Sequence, residues 1–337
     1  MNHLMRATSV LVLLLAGACE KAGDSTKIEG SGAMTDQERA LFAHVPASAS
    51  VVFGGNYRDL MEYWKTSPLK TLTEAAMAAG GQPSGMRDYM NCWIEQESGS
   101  HLVGALEFRK ETVGLVMLIR GVTEKTLTTC AEKGGFGVER DADGKYIELQ
   151  GLADGRGGTA NAGYYFVAPD TAYFAMEMPV GLGSAAALPP ASRADLEARL
   201  ARARSAPASG SAQVQALVAA ADRSKPIWMS GTAAGTPLAA KVGKGSGWLD
   251  VDKDSLTLAF SIELMEEGAA SRAVAQFGEL KKQVGMLPPD LKQAAEALLA
   301  DATLTSSGKT LSGRFKLTNE VLSKLMPAIG SAMGGGL

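Results

Sequence analysis

GALEFRKETVGLVMLIRGVTEK (Gly104–Lys125) aligns without gaps on GWLDVDKDSLTLAFSIELMEEG (Gly247–Gly268), and our fold prediction rests on this internal match. The alignment matches residues of similar chemistry, namely Leu106 with Leu249, Glu107 with Asp250, Lys110 with Lys253, and Ile119 with Ile262. Each copy has the pattern of an apolar strand, a charged turn, a second strand and a helix. The match indicates an internal duplication, with chance similarity as the alternative.

The flanking segments extend the repeat on both sides. SVVFGGN (Ser50–Asn56) resembles PIWMSGT (Pro226–Thr232) as an opening strand, and DGKYIEL (Asp143–Leu149) resembles SGKTLSG (Ser307–Gly313) as a closing hairpin. Turn sequences between the strands favour hairpins over parallel crossovers. We therefore predict an α+β fold made of two related units of antiparallel sheet, each β, ββ, α, ββ, with helices packed on one face.

Helical patterns surround and separate the two units. Thr35 to Glu38 match the pattern of a capping box, which predicts the start of the first helix. Apolar spacing predicts further helices at 57–65, 68–79, 86–95, 123–133, 193–204, 212–221, 267–284 and 289–300. The helices at 193–204 and 212–221 follow a segment with the composition of a linker, but their apolar periodicity indicates that they pack on the body. GRGGTANAG (Gly155–Gly163) is predicted to be a flexible loop.

The chain divides into six segments. We predict a signal peptide at 1–18, a lipidated cysteine and flexible tether at 19–34, a first unit at 35–180, a linker with Ala-rich helices at 181–225, a second unit at 226–330 and a disordered tail at 331–337.

The leader ends in LLLAGAC (Leu13–Cys19). The apolar run is shorter than the roughly 20 residues that span a bilayer, and small residues precede Cys19, as in a cleaved signal. This motif resembles the lipobox of bacterial lipoproteins, although Ala16 stands where that family usually carries Leu. The resemblance implies that Cys19 becomes an amino terminus carrying acyl chains such as palmitate. Glu20 after the cysteine implies sorting to the outer membrane, facing the periplasm; a cleaved soluble periplasmic protein is the alternative.

Charge argues against nucleic acid as a partner. The chain has 33 Lys and Arg residues against 36 Asp and Glu residues. A chain of net negative charge has no electrostatic attraction for a phosphate backbone. The partners that the sequence predicts are the membrane, through the N-terminal lipid, and an envelope protein or an apolar ligand.

Cys92 and Cys130 form an even pair once Cys19 is set aside. An exported chain enters an oxidising compartment, so the pair predicts a disulfide, with two buried thiols as the alternative. A bridge over this loop would stabilise the fold by about 4 kcal/mol in the chain-entropy model.

The residues that carry catalysis or bind metals are sparse. Beyond the leader the only histidines are His44 and His101, and neither has a neighbour at metal-ligand spacing. KVGKGSG (Lys241–Gly247) lacks the Ser or Thr of a phosphate loop, and we predict a loop beside a hairpin. Asp250, Asp252 and Asp254 are weak candidates for a metal site, because Ser255 replaces the required glycine and a solvated turn explains them. We predict no cofactor.

The helix at 193–204 carries Arg193, Arg199, Arg202 and Arg204. These arginines could contact anionic lipid, whereas a solvated face of mixed charge is the simpler explanation.

Three functions remain open from sequence. The first is a non-catalytic, lipid-anchored envelope protein that binds a protein partner; the body broadly resembles uncharacterised lipoproteins of myxobacteria and their relatives, and that resemblance carries over no functional residue. The second is an enzyme, such as a hydrolase, built from unmarked Asp, Glu or Ser residues. The third is a periplasmic carrier of a hydrophobic ligand or lipid, which an apolar pocket lined from both units would favour.

Overall fold

A computed structural model describes residues 34–71, 84–96, 101–108, 112–153, 159–179, 192–233, 239–287 and 289–324. The predicted leader, Cys19, nearly all of the tether and the tail at 331–337 lie outside the described residues. Most of the helix predicted at 68–79 also lies outside them, and its residues 68–71 are helical.

The described strands form one antiparallel sheet of twelve strands in the order β11-β12-β10-β9-β8-β1-β2-β3-β7-β6-β5-β4. The strands are β1 (Val51–Asn56), β2 (His101–Phe108), β3 (Thr112–Arg120), β4 (Gly137–Arg140), β5 (Tyr146–Ala153), β6 (Thr159–Ala168), β7 (Thr171–Pro179), β8 (Ile227–Thr232), β9 (Val242–Asp252), β10 (Ser255–Leu264), β11 (Thr303–Ser307) and β12 (Thr310–Thr318). The mixture of helices and antiparallel sheet agrees with the predicted α+β class.

The helices flank this sheet. They are α1 (Asp36–Phe42), α2 (Arg58–Thr66), α3 (Ser84–Glu95), α4 (Glu124–Lys133), α5 (Arg193–Ser205), α6 (Ala212–Ala220), α7 (Ala269–Gln283) and α8 (Pro289–Ala300). None of the helices in the described ranges is both long and apolar enough to span a membrane.

Side-chain caps fix where several helices begin. Thr35 accepts a hydrogen bond from the Glu38 backbone N–H, and the Glu38 carboxylate accepts one from the Thr35 backbone N–H. This is the predicted capping box of α1. Thr123 caps α4 by accepting from the Thr126 N–H. Such caps satisfy amide groups that the first helical turn leaves without a partner.

The segments predicted as two units meet where β1 and β8 pair. Phe53 lies opposite Met229 across this antiparallel pair. On one side β2 follows β1, with Gly104 opposite Phe53; on the other side β9 follows β8, with Gly247 opposite Met229. The sheet therefore continues without a break from one predicted unit to the next.

The prediction that helices pack on one face is wrong, because they cover both faces. Successive residues of a strand point to opposite faces. Trp228 packs in the cluster beside α6, whereas the side chain of its neighbour Met229 lies on the same face as Phe260 in β10. Phe260 packs with α7 and α8. The order of elements along a chain does not state on which face each helix returns.

Helices α5 and α6 belong to the core, as their apolar periodicity predicts. They cover the central strands on the Trp228 face with fully or nearly fully buried side chains, which are Leu196, Leu200, Val214, Leu217 and Val218. Burying such an aliphatic side chain stabilises the fold by about 1.5–3 kcal/mol. These helices and α1 cover this face of the central strands, so the structure there is a three-element layer over the sheet.

The opposite face carries separate helical caps towards its ends. One cap is α3 and α4, packed on β5 and β6 through residues such as Leu127 and Ile147. The other is α7 and α8, packed through Phe277 and Leu304 on β11 and β12. Helix α2 packs near it on β9. The central strands lie between these caps.

Candidate functional site

Strand β9 lines the candidate site with glycines. Gly243, Gly245 and Gly247 alternate along it, and Gly245 and Gly247 lie opposite Gly231 and Met229 of β8. Alternation puts these glycines on the face that α7 covers further along the sheet. The prediction that Lys241–Gly247 forms a loop is therefore wrong.

Large apolar side chains rise on both sides of these glycines. From β10 they are Leu258, Phe260 and Ile262; from the other side they are Met229, Val51 and Phe108. Phe260 leans away, towards Gly313 of β12, where an added Cβ would come within 2.7 Å of its ring. Because β9 has no side chains at these glycines, a groove remains between the apolar side chains of β10 and those of β8, β1 and β2.

The resulting cleft has a volume of about 550 Å³. It is lined from both predicted units, since Val51 and Phe108 belong to the first and the β8, β9 and β10 residues to the second. Among the described residues that line it there is no Asp, Glu, Lys, Arg or His. Ser230 and Ser246 alternate with Met229 and Gly247, so their side chains point to the opposite face. The cleft thus offers apolar contact and few polar groups.

The apolar surface continues from the cleft across the centre of the sheet. Met229 is 49% exposed, and Met176 of β7 is 39% exposed. Phe53, Leu115 and Met117 on the same face are half-buried. A contiguous exposed apolar patch marks an interaction site more often than an isolated exposed apolar residue does.

The period-two glycines of β9 were the signal in the sequence. Gly243, Gly245 and Gly247 alternate with Lys244 and Ser246. Glycine is depleted in strands, so this composition predicts a loop. The alternation itself fits a strand that has no side chains on one face.

The structure joins Cys92 of α3 to Cys130 of α4, with the Cα atoms 5.3 Å apart. Both side chains are buried beside Tyr89 and Leu127. Tyr89 packs edge-to-face on Phe136, and burial raises the pKa of its hydroxyl. The cysteines therefore hold a helical cap onto the sheet at a distance from the cleft.

The aspartates of the β9–β10 turn do not converge. Asp250 forms an ion pair with Lys225 at 2.6 Å, and Asp252 accepts a hydrogen bond from Ser255. Within the described ranges, no group of three or more His, Cys, Asp or Glu side chains has the geometry to hold a metal ion.

The two histidines lie apart from the cleft. His44 follows α1, and burial, with a smaller contribution from the charge of Arg204, lowers its pKa. His101 begins β2 and lines a different pocket beside Arg223. The structure does not bring the two histidines together in one site.

The arginines of α5 divide into two groups. Arg193 is held by three carboxylates, those of Asp141, Asp143 and Glu197. Hydrogen bonding to Arg193 lowers the pKa of Asp143. Arg199 and Arg202 line a separate cavity on the opposite face of the sheet from the cleft.

The prediction that Gly155–Gly163 forms a loop is wrong from Thr159 onwards, because these residues belong to β6.

No family model and no curated protein matches the chain. Crystal structures of a protein called TP0453 are similar to it at low level. Crystal forms III, I and IV give TM-scores of 0.43, 0.41 and 0.40 at 11%, 10% and 10% sequence identity; they cover 86%, 86% and 85% of this chain and 98%, 96% and 96% of that chain. Similarity at this level supports no statement about function.

Proposed function

We propose that the protein binds an elongated apolar molecule, such as the acyl chain of a lipid, in the cleft over β9. The observation that carries this proposal is the cleft itself, about 550 Å³ in volume and lined from both predicted units by described residues that carry no charge. Ligand pockets have volumes of roughly 300–1,000 Å³ and are mostly apolar. Of the functions left open by the sequence, this geometry favours the hydrophobic carrier over the module for a protein partner.

Binding, rather than catalysis, is the activity that we infer. A catalytic site needs titratable or nucleophilic groups that converge on the bound molecule. The cleft presents Met229, Leu258 and Phe260 instead. Transfer or storage of an apolar ligand requires nothing more than shape and apolar contact.

Two substitutions at Met229 test the site. Met229→Trp fills part of the cleft and Met229→Gln makes its wall polar; because the side chain is half exposed, neither change opens the core. Binding of the fluorescent fatty acid cis-parinaric acid to the purified chain should weaken about tenfold in Met229→Trp. The indole occupies space that the acyl chain would fill, and a tenfold loss of affinity corresponds to about 1.4 kcal/mol of lost binding free energy. Met229→Gln should weaken it by a smaller factor.

Met286 supplies the matched control. It follows α7, is 80% exposed and lies outside the cleft, so Met286→Trp and Met286→Gln should leave probe binding unchanged. If the Met229 variants bound the probe as tightly as the Met286 variants, the cleft would be ruled out as the binding site. Mass spectrometry of the native protein supplies the second readout: co-purifying lipid supports a carrier, and a stoichiometric protein without lipid supports the partner hypothesis.

We propose that the chain works outside the cytoplasm, held to a membrane by acyl chains on Cys19. The lipobox-like leader motivates this proposal, and the pairing of Cys92 with Cys130 agrees with an oxidising compartment. The mass of the mature amino-terminal peptide tests it, because an acylated Cys19 adds the mass of its fatty chains. Release of the Cys19→Ser variant into the aqueous fraction is the expected companion result.

We also propose that the two units are copies of one ancestral unit. The hairpin registers support it: Gly104 lies opposite Met117 in β2–β3, and the aligned Gly247 lies opposite Phe260 in β9–β10. The aligned opening strands agree as well, since the residues matched in sequence, Phe53 and Met229, face each other. A two-fold axis between them would relate the halves.

The strand order in the sheet matches the closing hairpins of the two units differently from the sequence alignment of the flanking segments. In the second unit β12 lies beside β10, with β11 outside it; in the first unit β7 lies beside β3, with β6 outside it. The sheet position of β11–β12 is therefore that of β6–β7. The hairpin β4–β5, which contains Asp143–Leu149, is an addition at the edge of the first unit. Deep mutational scanning offers a test: aligned positions of the two units should tolerate the same residue types.

A further inference from the structure

The last described residues of the chain lie beside the apolar cleft. Residues 319–324 are helical. Leu322, which is 2% exposed, packs in one cluster with Leu256 of β10 and Tyr63 of α2. The Tyr63 hydroxyl also donates a hydrogen bond to the side chain of Asn319, at 2.9 Å. These contacts fix the position from which the chain continues beyond the described residues.

Leu256 lies next to one wall of the cleft. It precedes Leu258 by two residues on β10, so both side chains point to the same face of the sheet. Leu258 and Phe260 line the cleft and are half-buried, whereas Leu256, packed against Leu322, is 7% exposed. The apolar row along β10 is therefore covered as far as the described chain reaches, and it is open beyond that point.

The residues that follow have the chemistry of the cleft. They are LMPAIG (325–330), and none of them carries a charge. Leu325, Met326 and Ile329 are the large apolar members, and side chains of this kind are stabilised by leaving water. An uncharged, apolar segment thus follows directly on residues that are anchored at the edge of an uncharged, apolar cleft.

The segment is long enough to enter the cleft. From Leu256 to Leu258, the first cleft residue on β10, the distance along the strand is about 7 Å. Six extended residues span about 20 Å. Pro327 disfavours the helical conformation at the residue before it, so an extended course is favoured after the helical residues 319–324.

We propose that residues 325–330 pack in the cleft over β9 when no ligand is bound there. The β9 glycines leave room for the apolar side chains of the segment, and the described residues that line the cleft carry no charge. A tethered segment has an effective concentration in the millimolar range, so weak contacts suffice to hold it. An apolar ligand must displace the segment, and this competition, unlike the docking itself, rests on the proposed function.

Oxidation of Met229 by hydrogen peroxide tests the docking without any ligand. Met229 lines the cleft, and Met286, which is 80% exposed and lies outside the cleft, is the internal reference. Peptide mass spectrometry reads the rate of sulfoxide formation at each methionine. In a chain that stops after Lys324, Met229 should oxidise at least about threefold faster than in the full chain, because its sulfur is more exposed, while Met286 keeps its rate.

A chain that stops after Gly330 is the matched control. It keeps residues 325–330 and should protect Met229 as the full chain does. Met326→Asp/Ile329→Asp keeps the full length and should expose Met229 as the shorter chain does, because a carboxylate is costly to bury without a partner. Equal oxidation of Met229 in the full chain, the shorter chain and the double variant overturns the proposal. Protection that survives truncation and grows with protein concentration also overturns it, since a second copy of the chain would then cover the cleft.

Binding of cis-parinaric acid separates this proposal from the proposed function. Removal of residues 325–337 should tighten probe binding about tenfold, the gain expected when a site that is free about one tenth of the time becomes free always. Equally tight binding to the full and the shorter chain overturns the proposal. If neither chain binds the probe while Met229 oxidises faster in the shorter chain, the docked segment is supported and the proposed function is contradicted.

Discussion

Gly104 and Gly114 lie on adjacent strands but have different surroundings. A Cβ at Gly104 would lie 2.3 Å from the Phe53 ring and 2.8 Å from the Val116 carbonyl oxygen, whereas a Cβ at Gly114 would meet nothing closer than 3.6 Å. Gly104→Ala should therefore destabilise the protein by about 1–3 kcal/mol, as overpacking does. Gly114→Ala should be neutral or stabilise it by up to about 1 kcal/mol, because alanine restricts the unfolded chain.

Urea unfolding of the two variants measures both effects. Each variant serves as the control for the other, since the substitution is identical and the two strands are neighbours. A loss of stability of the same size in both variants would mean that the sheet, and not the Phe53 ring, disfavours alanine there.

His44 makes stability depend on pH. Burial, together with Arg204, lowers its pKa in the folded state below the ordinary value of 6.5. The unfolded chain therefore takes up this proton more readily, so the contribution of His44 is complete above pH 6.5 and is lost as the pH falls towards the folded pKa. Wild-type protein should lose stability between pH 7.5 and 5.5, and His44→Gln should lose less.

Urea midpoints at the two pH values decide this prediction. Carboxylates with lowered pKa, such as Asp143 and Asp195, titrate further down and do not interfere in this range. An identical pH response in wild type and His44→Gln would exclude His44 as the cause.

At the scale of elements, the bridge between α3 and α4 holds one cap of the sheet. It closes a loop with a sequence separation of 38. Removing a cross-link of that loop size should lower the free energy of unfolding by about 4 kcal/mol in the chain-entropy model. The double variant Cys92→Ala/Cys130→Ala and reduced wild-type protein should both show this loss, by urea unfolding.

Reductant provides the control for this prediction. It should have no effect on the double variant, which has no bridge to break. Thiol labelling of exported wild-type protein before reduction would contradict the bridge if both cysteines reacted in full.

Elements whose local signals agree with their tertiary role could be predicted from sequence. The capping box of α1, the α4 helix and the β2–β3 and β9–β10 hairpins are of this kind, because their periodicity and turn residues act over a few positions. The glycine-rich start of β9 (242–246) is predicted as a loop but forms a strand, since its neighbours β8 and β10 supply the pairing that overrides low strand propensity. The cleft lies over these glycines, so it is not predicted from the sequence.

At the scale of the molecule, the sheet joins the two proposed units into one body. β1 and β8 pair across the junction, and the Phe42 ring of α1 lies 6.4 Å from that of Trp228 in β8. Helix α6 contacts both β1 and β8. Two domains linked only by a tether would share no core. These contacts give the halves a common core, so they should unfold together.

Leu118→Ala in β3 and Leu304→Ala in β11 test this cooperativity from opposite halves. Both side chains are fully buried, in different clusters, so each truncation should cost about 2–5 kcal/mol. In a single cooperative unit, each variant shifts the entire calorimetric transition to lower temperature by several degrees, with equal calorimetric and van't Hoff enthalpies. If each variant instead split off only its own part of the transition, the halves would be independent domains, and the continuous sheet would not couple them.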